Sequence, residues 1–210
     1  MLLAETDLVL FLTASLVVIV APGPDNVLVL TRGISQGRRA AMASAVGASV
    51  GLVCHSVFAA AGLSAILTRS AVAFSVVKYA GAAYLIYLGV KTLRSREGFV
   101  LLGGGGTTSL RGVFAQGVAS NVMNPKIAVF FLAYLPQFVD PAAGGTAPRL
   151  LLLGLIFALL TLLVFGVLGY FSGALGDRLV RRPRLSEALR RGTGGVFVLL
   201  GLRLALPERG

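Results

Sequence analysis

The 210 residues are 56% hydrophobic and only 13% charged, against about 25% charged in an ordinary soluble domain, and the mean hydropathy is +0.88. These values exclude a typical water-soluble globule, and because a membrane span takes roughly 20 residues, six spans with short loops leave no room for a soluble catalytic domain. The net charge of +11 does not indicate nucleic acid, since most basic residues fall between apolar runs, where they report orientation and attraction to anionic headgroups.

Glu5 and Asp7 precede the first apolar run with no basic residue beside them. That is the wrong flank for a cleavable signal peptide, so the first segment is expected to be retained as a helix. Taken in chain order, the apolar runs predict an all-α integral membrane protein with six transmembrane helices. They are Leu8 to Leu30, Ala40 to Leu67, Ala71 to Val90, Val113 to Val139, Leu150 to Gly176 and Gly192 to Leu206. The last is short, and requires Arg190, Arg191 and Arg203 to reach toward the two interfaces. The single cysteine, Cys54, lies inside an apolar run, so neither a disulfide framework nor a cysteine metal cluster is expected, and no metal or cofactor is called for.

The basic residues are unevenly divided. Loops one, three and five carry Arg32, Arg38, Arg39, Lys91, Arg94, Arg96, Arg111, Arg178, Arg181, Arg182, Arg184, Arg190 and Arg191, whereas the other side has Arg69, Arg149, Arg203 and Arg209. The positive-inside rule then makes the odd loops cytoplasmic and puts both termini outside. The stretch from Arg178 to Arg191, with Leu179, Leu185 and Leu189, reads as an amphipathic anchor along the cytoplasmic headgroups. Gly103 to Gly106, followed by Thr107 and Thr108, reads as a flexible linker, because no Lys-Ser or Lys-Thr follows at phosphate-loop spacing. The whole chain, 1–210, is one transmembrane domain, with a first half at 1–102, the linker at 103–110 and a second half at 111–210.

With three spans on each side of the linker, the halves would insert in opposite orientations. Pro22, Gly23, Pro24 and Asp25 interrupt the first span, and Asn124, Pro125 and Lys126 interrupt the fourth. Paired breaks in two inverted halves point to a transporter binding site near the midplane. Proline removes a backbone donor and clashes with the preceding turn, so each break frees backbone groups that need protein, water or ligand to satisfy them. Asn124-Pro125 reads as an N-cap with proline at the first helical position, and Gly23-Pro24 reads likewise.

Asp25 suits the positive end of a restarting half-helix; Lys126, in the corresponding first turn, does not. That lysine is expected to seek a carboxylate, either that of Asp25 or that of a bound substrate, with a permanent structural ion pair as the plainer alternative. Asn26 and Asn124 belong to the same breaks. His55, the lone histidine, is a secondary candidate that suits a proton-coupled step or a structural hydrogen bond. Lys78 and Tyr84 are secondary candidates on the third span: Lys78 either binds a substrate carboxylate or reaches toward the interface, and Tyr84, with Tyr79 and Tyr87, either lines a path or packs against neighbours. Ala43, Gly47 and Gly51, at four-residue spacing, allow a neighbouring helix close to the second span.

At these motifs the chain resembles the LysE/RhtB family of bacterial amino-acid exporters. The resemblance lies in APGPDNVLVLTRGISQGRRAAMASAVGASVG from Ala21, KYAGAAYLIYLGVKTLRS from Lys78 and NPKIAVFFLAYLPQFV from Asn124. It implies a small carrier of the bacterial cytoplasmic membrane that exports amino acids in exchange for protons, with the proline motifs around the path. The substrate is left open among basic, hydroxylated and branched amino acids, and a homodimer is admitted. Two other classes are compatible with the residues alone: a carrier of metal ions or other small solutes on a related scaffold, and an intramembrane enzyme using Asp25 with His55. Both are poorly supplied, because the spans lack a metal-ligand cluster and a matched second aspartate.

Overall fold

The computed structural model describes residues 5–94, 108–140, 142–172, 174 and 183–206. Among these the chain is helical, without strands. Helix α1 (Glu5–Val20) stops before Pro22, and α2 (Pro24–Gln36) restarts with proline in its first turn behind an extended Gly23. Proline suits that position because its missing N–H would have no helical partner and its φ is preset. The two axes meet at 54°. Gly37, at φ +84°, then turns the chain into α3 without a loop, a conformation that favours glycine.

Helix α3 (Arg38–Phe58) continues through a π-helical turn (Ala59–Leu63) into α4 (Ser64–Arg69). It is the central helix, in contact with α2, α6 (Leu110–Val122) and α8 (Thr146–Tyr170). Small residues make this possible. A Cβ on Gly47 would overlap the Phe114 carbonyl, and one on Gly117 would lie 2.5 Å from the Ser44 carbonyl, so the α3 and α6 backbones meet directly. Helix α5 (Ala71–Arg94) lies along the last helix, α9 (Pro183–Ala205), by the same means, with a Cβ on Gly89 only 2.7 Å from the Gly194 carbonyl.

The fourth span breaks as expected and then departs from expectation. After α6, α7 (Pro125–Val129) leaves at 47°. The helix then widens to a π-turn (Phe130–Tyr134) and tightens to a 3₁₀ turn (Leu135–Phe138) instead of running on as α-helix to Val139. Pro136 has no N–H for the Leu132 carbonyl, so the regular ladder cannot pass it.

By length and composition, three described helices can cross a membrane alone, 38–66, 72–94 and 146–170, and up to five can if each bent pair is one span. Helix α9 begins at Pro183, earlier than the expected Gly192, and Arg190, Arg191 and Arg203 keep it outside that set. Bulky apolar side chains such as Val72, Leu159, Leu163 and Leu199 face outward, a surface suited to lipid rather than water. The core holds Phe11, Phe130, Phe131 and Phe157. The Gly103 to Gly106 linker and the Arg178 to Arg182 part of the expected anchor lie outside the described residues.

Candidate binding site at the two helix breaks

A proline leaves without a donor the carbonyl four residues before it. For Pro22 that carbonyl belongs to Val18, and for Pro125 it belongs to Asn121. The Asn121 carbonyl accepts the backbone N–H of Asn124 at 3.0 Å, and both carbonyls are also met by a side chain from elsewhere in the chain. Lys126 Nζ donates to the Val18 carbonyl at 3.0 Å and to that of Ala21 at 3.0 Å. His55 Nε2, on α3, lies 3.2 Å from the Asn121 carbonyl, and since a carbonyl only accepts, this ring nitrogen carries the hydrogen. Asn26 Nδ2 takes the Ile19 carbonyl at 2.9 Å. The last turn of α1 is therefore closed by side chains of the two breaks.

Lys126 is thus placed by the negative end of α1, which offsets its own position in the first turn of α7. Gly23 makes room for it, since a Cβ there would lie 3.1 Å from Nζ. Asn124 caps α7 as expected, its Oδ1 accepting from the Lys126 backbone N–H at 3.1 Å.

Asp25 lies in the first turn of α2, 2% exposed. Its Oδ1 accepts from Ser120 Oγ at 2.6 Å, and its Oδ2 from Asn121 Nδ2 at 2.8 Å and Asn124 Nδ2 at 2.9 Å. All three donors flank the other break. So the charged residue of each half-helix reaches across to the opposite interruption, yet among the described residues no direct ion pair joins them. Asp25 and Lys126 are near enough for their charges to act on each other, but the hydrogen-bond partners of each are neutral.

Of the secondary candidates, His55 joins the site through Asn121, the residue it shares with Asp25. Lys78 is buried on α5 and takes no part in the hydrogen bonds of Asp25, Asn26, Asn124 or Lys126. Tyr84 packs against Tyr87 with ring centres 5.9 Å apart and is likewise absent from those bonds. Pro24 and Pro125 are exposed beside the buried Asp25 and Lys126. Sequence reading missed Ser120 and Asn121. Their signal was position, one turn before Pro125 in an otherwise apolar run. Among the described residues no three of His, Cys, Asp and Glu stand together as a metal would need.

Helices apolar outside, interrupted in pairs inside and carrying two buried charges at the interruptions define an integral membrane protein with a polar centre. The profile of the LysE type translocator family matches residues 16–208. The chain belongs to that family. It is 33% identical over 198 residues to the homoserine/homoserine lactone efflux protein of Salmonella typhi, covering 93% of this chain and 94% of that one. It is 31% identical over 198 residues to a Vibrio cholerae protein described as an uncharacterized membrane protein, covering 94% and 96%. Identity to the leucine efflux protein of Enterobacter sp. (strain 638) is 29% over 199 residues, covering 93% of each chain. No solved structure matches the chain.

Proposed function

We propose that this chain exports amino acids or close derivatives from the cytoplasm across the bacterial cytoplasmic membrane, by alternating access of two inverted three-helix halves. Relatives named for homoserine and leucine efflux support the substrate class. The distribution of basic residues supports cytoplasmic odd loops with both termini outside.

One observation carries the mechanism: Asp25 and Lys126 stand at adjoining breaks, each held by neutral partners. A zwitterionic amino acid brings one charge of each sign. Its ammonium would meet Asp25, and its carboxylate would draw Lys126 off the Val18 and Ala21 carbonyls, exchanging bonds in which one partner is charged for bonds in which both are. Release of those carbonyls loosens the closure of α1, which gives binding a differential effect on two conformations, as any carrier requires. Protonation of Asp25 supplies coupling: a neutral carboxyl no longer holds the substrate ammonium, so proton entry favours release.

The test is protein-dependent flux of labelled amino acids in reconstituted vesicles, with and without a pH gradient. Asp25→Asn abolishes export while the protein still inserts. Full transport by that variant eliminates Asp25 as the coupling group, and flux indifferent to the gradient eliminates protons.

A further inference from the structure

A second set of buried polar atoms takes no part in the hydrogen bonds that hold the two charges. Tyr134 is 2% exposed in the π-turn, and its hydroxyl has no hydrogen-bond partner; nor has Nε2 of Gln137, three residues on in the 3₁₀ turn. Ser15 Oγ is also buried and unpartnered, on α1 between Phe11 and Val18. A buried donor without a partner costs about 1–3 kcal/mol, and such groups are few in folded proteins unless another state uses them.

Their setting suggests that state. From His55 a line of ring contacts runs through Phe131 (5.5 Å between centres), Phe130 (6.2 Å), Tyr134 (5.4 Å) and Phe138 (5.4 Å) to Phe11 (5.4 Å). It begins beside the central site and ends at Phe11 in the first half of α1, whose N-terminal end is the outer one in the topology proposed above. Successive rings lie 5.4 to 6.2 Å apart between centres, Tyr134 is one of them, and Gln137 immediately precedes Phe138 in the chain. The backbone carrying them is π-helical and then 3₁₀, geometries found at functional sites and hinges because neither is the relaxed form of a helix.

We propose that Tyr134 and Gln137 form a second, outward station that receives the carboxylate of the departing amino acid, and that the aromatic line is the outer gate, closed in this structure. The inference rests on the exporter reading. Both side chains offer a donor, and a carboxylate accepts only. Opening the rings lets the substrate exchange Lys126 for these two donors on its way out.

The experiment compares wild type, Tyr134→Phe, Gln137→Leu, Gln137→Glu, the Tyr134→Phe/Gln137→Leu double variant and Asp25→Asn in vesicles, using a panel of labelled L-amino acids. Tyr134→Phe removes an atom that makes no bond in the closed form, so a structural role predicts no loss of transport. The station predicts that the double variant keeps its Tm while maximal flux falls about tenfold, the worth of a lost hydrogen bond to a charged group. Half-saturation measured from the cytoplasmic face stays within about twofold. Gln137→Glu, similar in shape but anionic, falls below Gln137→Leu. Wild-type flux in the double variant overturns the station, and equal flux in the Glu and Leu variants overturns the carboxylate assignment. If Asp25→Asn also transports normally, the central reading fails; if only Asp25→Asn is impaired, the station alone fails.

Discussion

Lys126 donates to the carbonyl of Val18 at 3.0 Å, closing a helix to which it does not belong. The bond exists because Pro22 cannot supply the N–H that a continuous helix would place there. Replacing Lys126 by methionine keeps an unbranched side chain one atom shorter and strands the Val18 and Ala21 carbonyls in a buried setting. Loss of about 1–3 kcal/mol is expected, the usual penalty for an abandoned buried partner. Thermal melting in detergent checks this, and a Met variant as stable as wild type would show that the lysine is held for transport alone.

Gly23 is extended, at φ −166° and ψ 178°, so alanine there meets no backbone strain. It meets Lys126 instead, with a Cβ 3.1 Å from Nζ and 3.5 Å from Cε. Displacement of the ammonium from the end of α1 is expected to destabilise Gly23→Ala by about 1 kcal/mol, at the mild end of overpacking effects, and to slow export. The paired variant Gly23→Ala with Lys126→Met relieves the crowding. Stability losses that simply add in that pair would rule out the contact as the cause.

Much of this site was legible in the sequence, for identifiable reasons. Proline and glycine act locally, so the breaks at Pro22 to Pro24 and at Pro125, and the cap by Asn124, could be read directly. What could not be read is which partner each charge takes. Lys126 was expected to need a carboxylate and is held by two carbonyls, whose availability is signalled only by a proline four residues later. Asp25 is held by Ser120, Asn121 and Asn124, and their convergence depends on the angle and register between α2 and α6, which no local pattern encodes. The loss of α-helical geometry after Val129 was visible in Pro136 and was obscured by the apolar run around it.

Gly51 and Gly195 form a contrasting pair. A Cβ on Gly51 would stand 2.8 Å from Asn121 Cβ and 2.9 Å from its Oδ1, whereas one on Gly195 meets nothing within 4 Å. Gly51→Ala must push α3 from α6 or turn Asn121, which donates to Asp25 and whose carbonyl accepts from His55. A loss of about 1–3 kcal/mol and of most export is expected. Gly195→Ala, mid-helix and uncrowded, is expected to gain about 0.5–1 kcal/mol from reduced backbone freedom in the unfolded chain. Equal effects of the two substitutions on melting would remove the close α3–α6 approach as an explanation.

Arg190 ties α9 to α5 by donating to the Thr92 and Leu93 carbonyls at 2.8 and 2.6 Å, and Glu187 holds that guanidinium through its Nε at 2.9 Å. Arg190 and Arg191 hold the Glu187 carboxyl below its ordinary value of 4.5. A carboxyl whose folded value is lowered contributes stability that is complete above the unfolded value and is lost as the pH falls through the folded one. The junction is therefore expected to be unchanged between pH 8 and about 5 and to loosen only under more acidic conditions, below the ordinary carboxylate range. Glu187→Gln should loosen it at every pH, because the amide keeps the shape and loses the charge. Hydrogen exchange at the backbone amides of residues 90–94 and 187–194 reads this directly. Exchange that accelerates with acid as much in Glu187→Gln as in wild type would assign the pH response to another group.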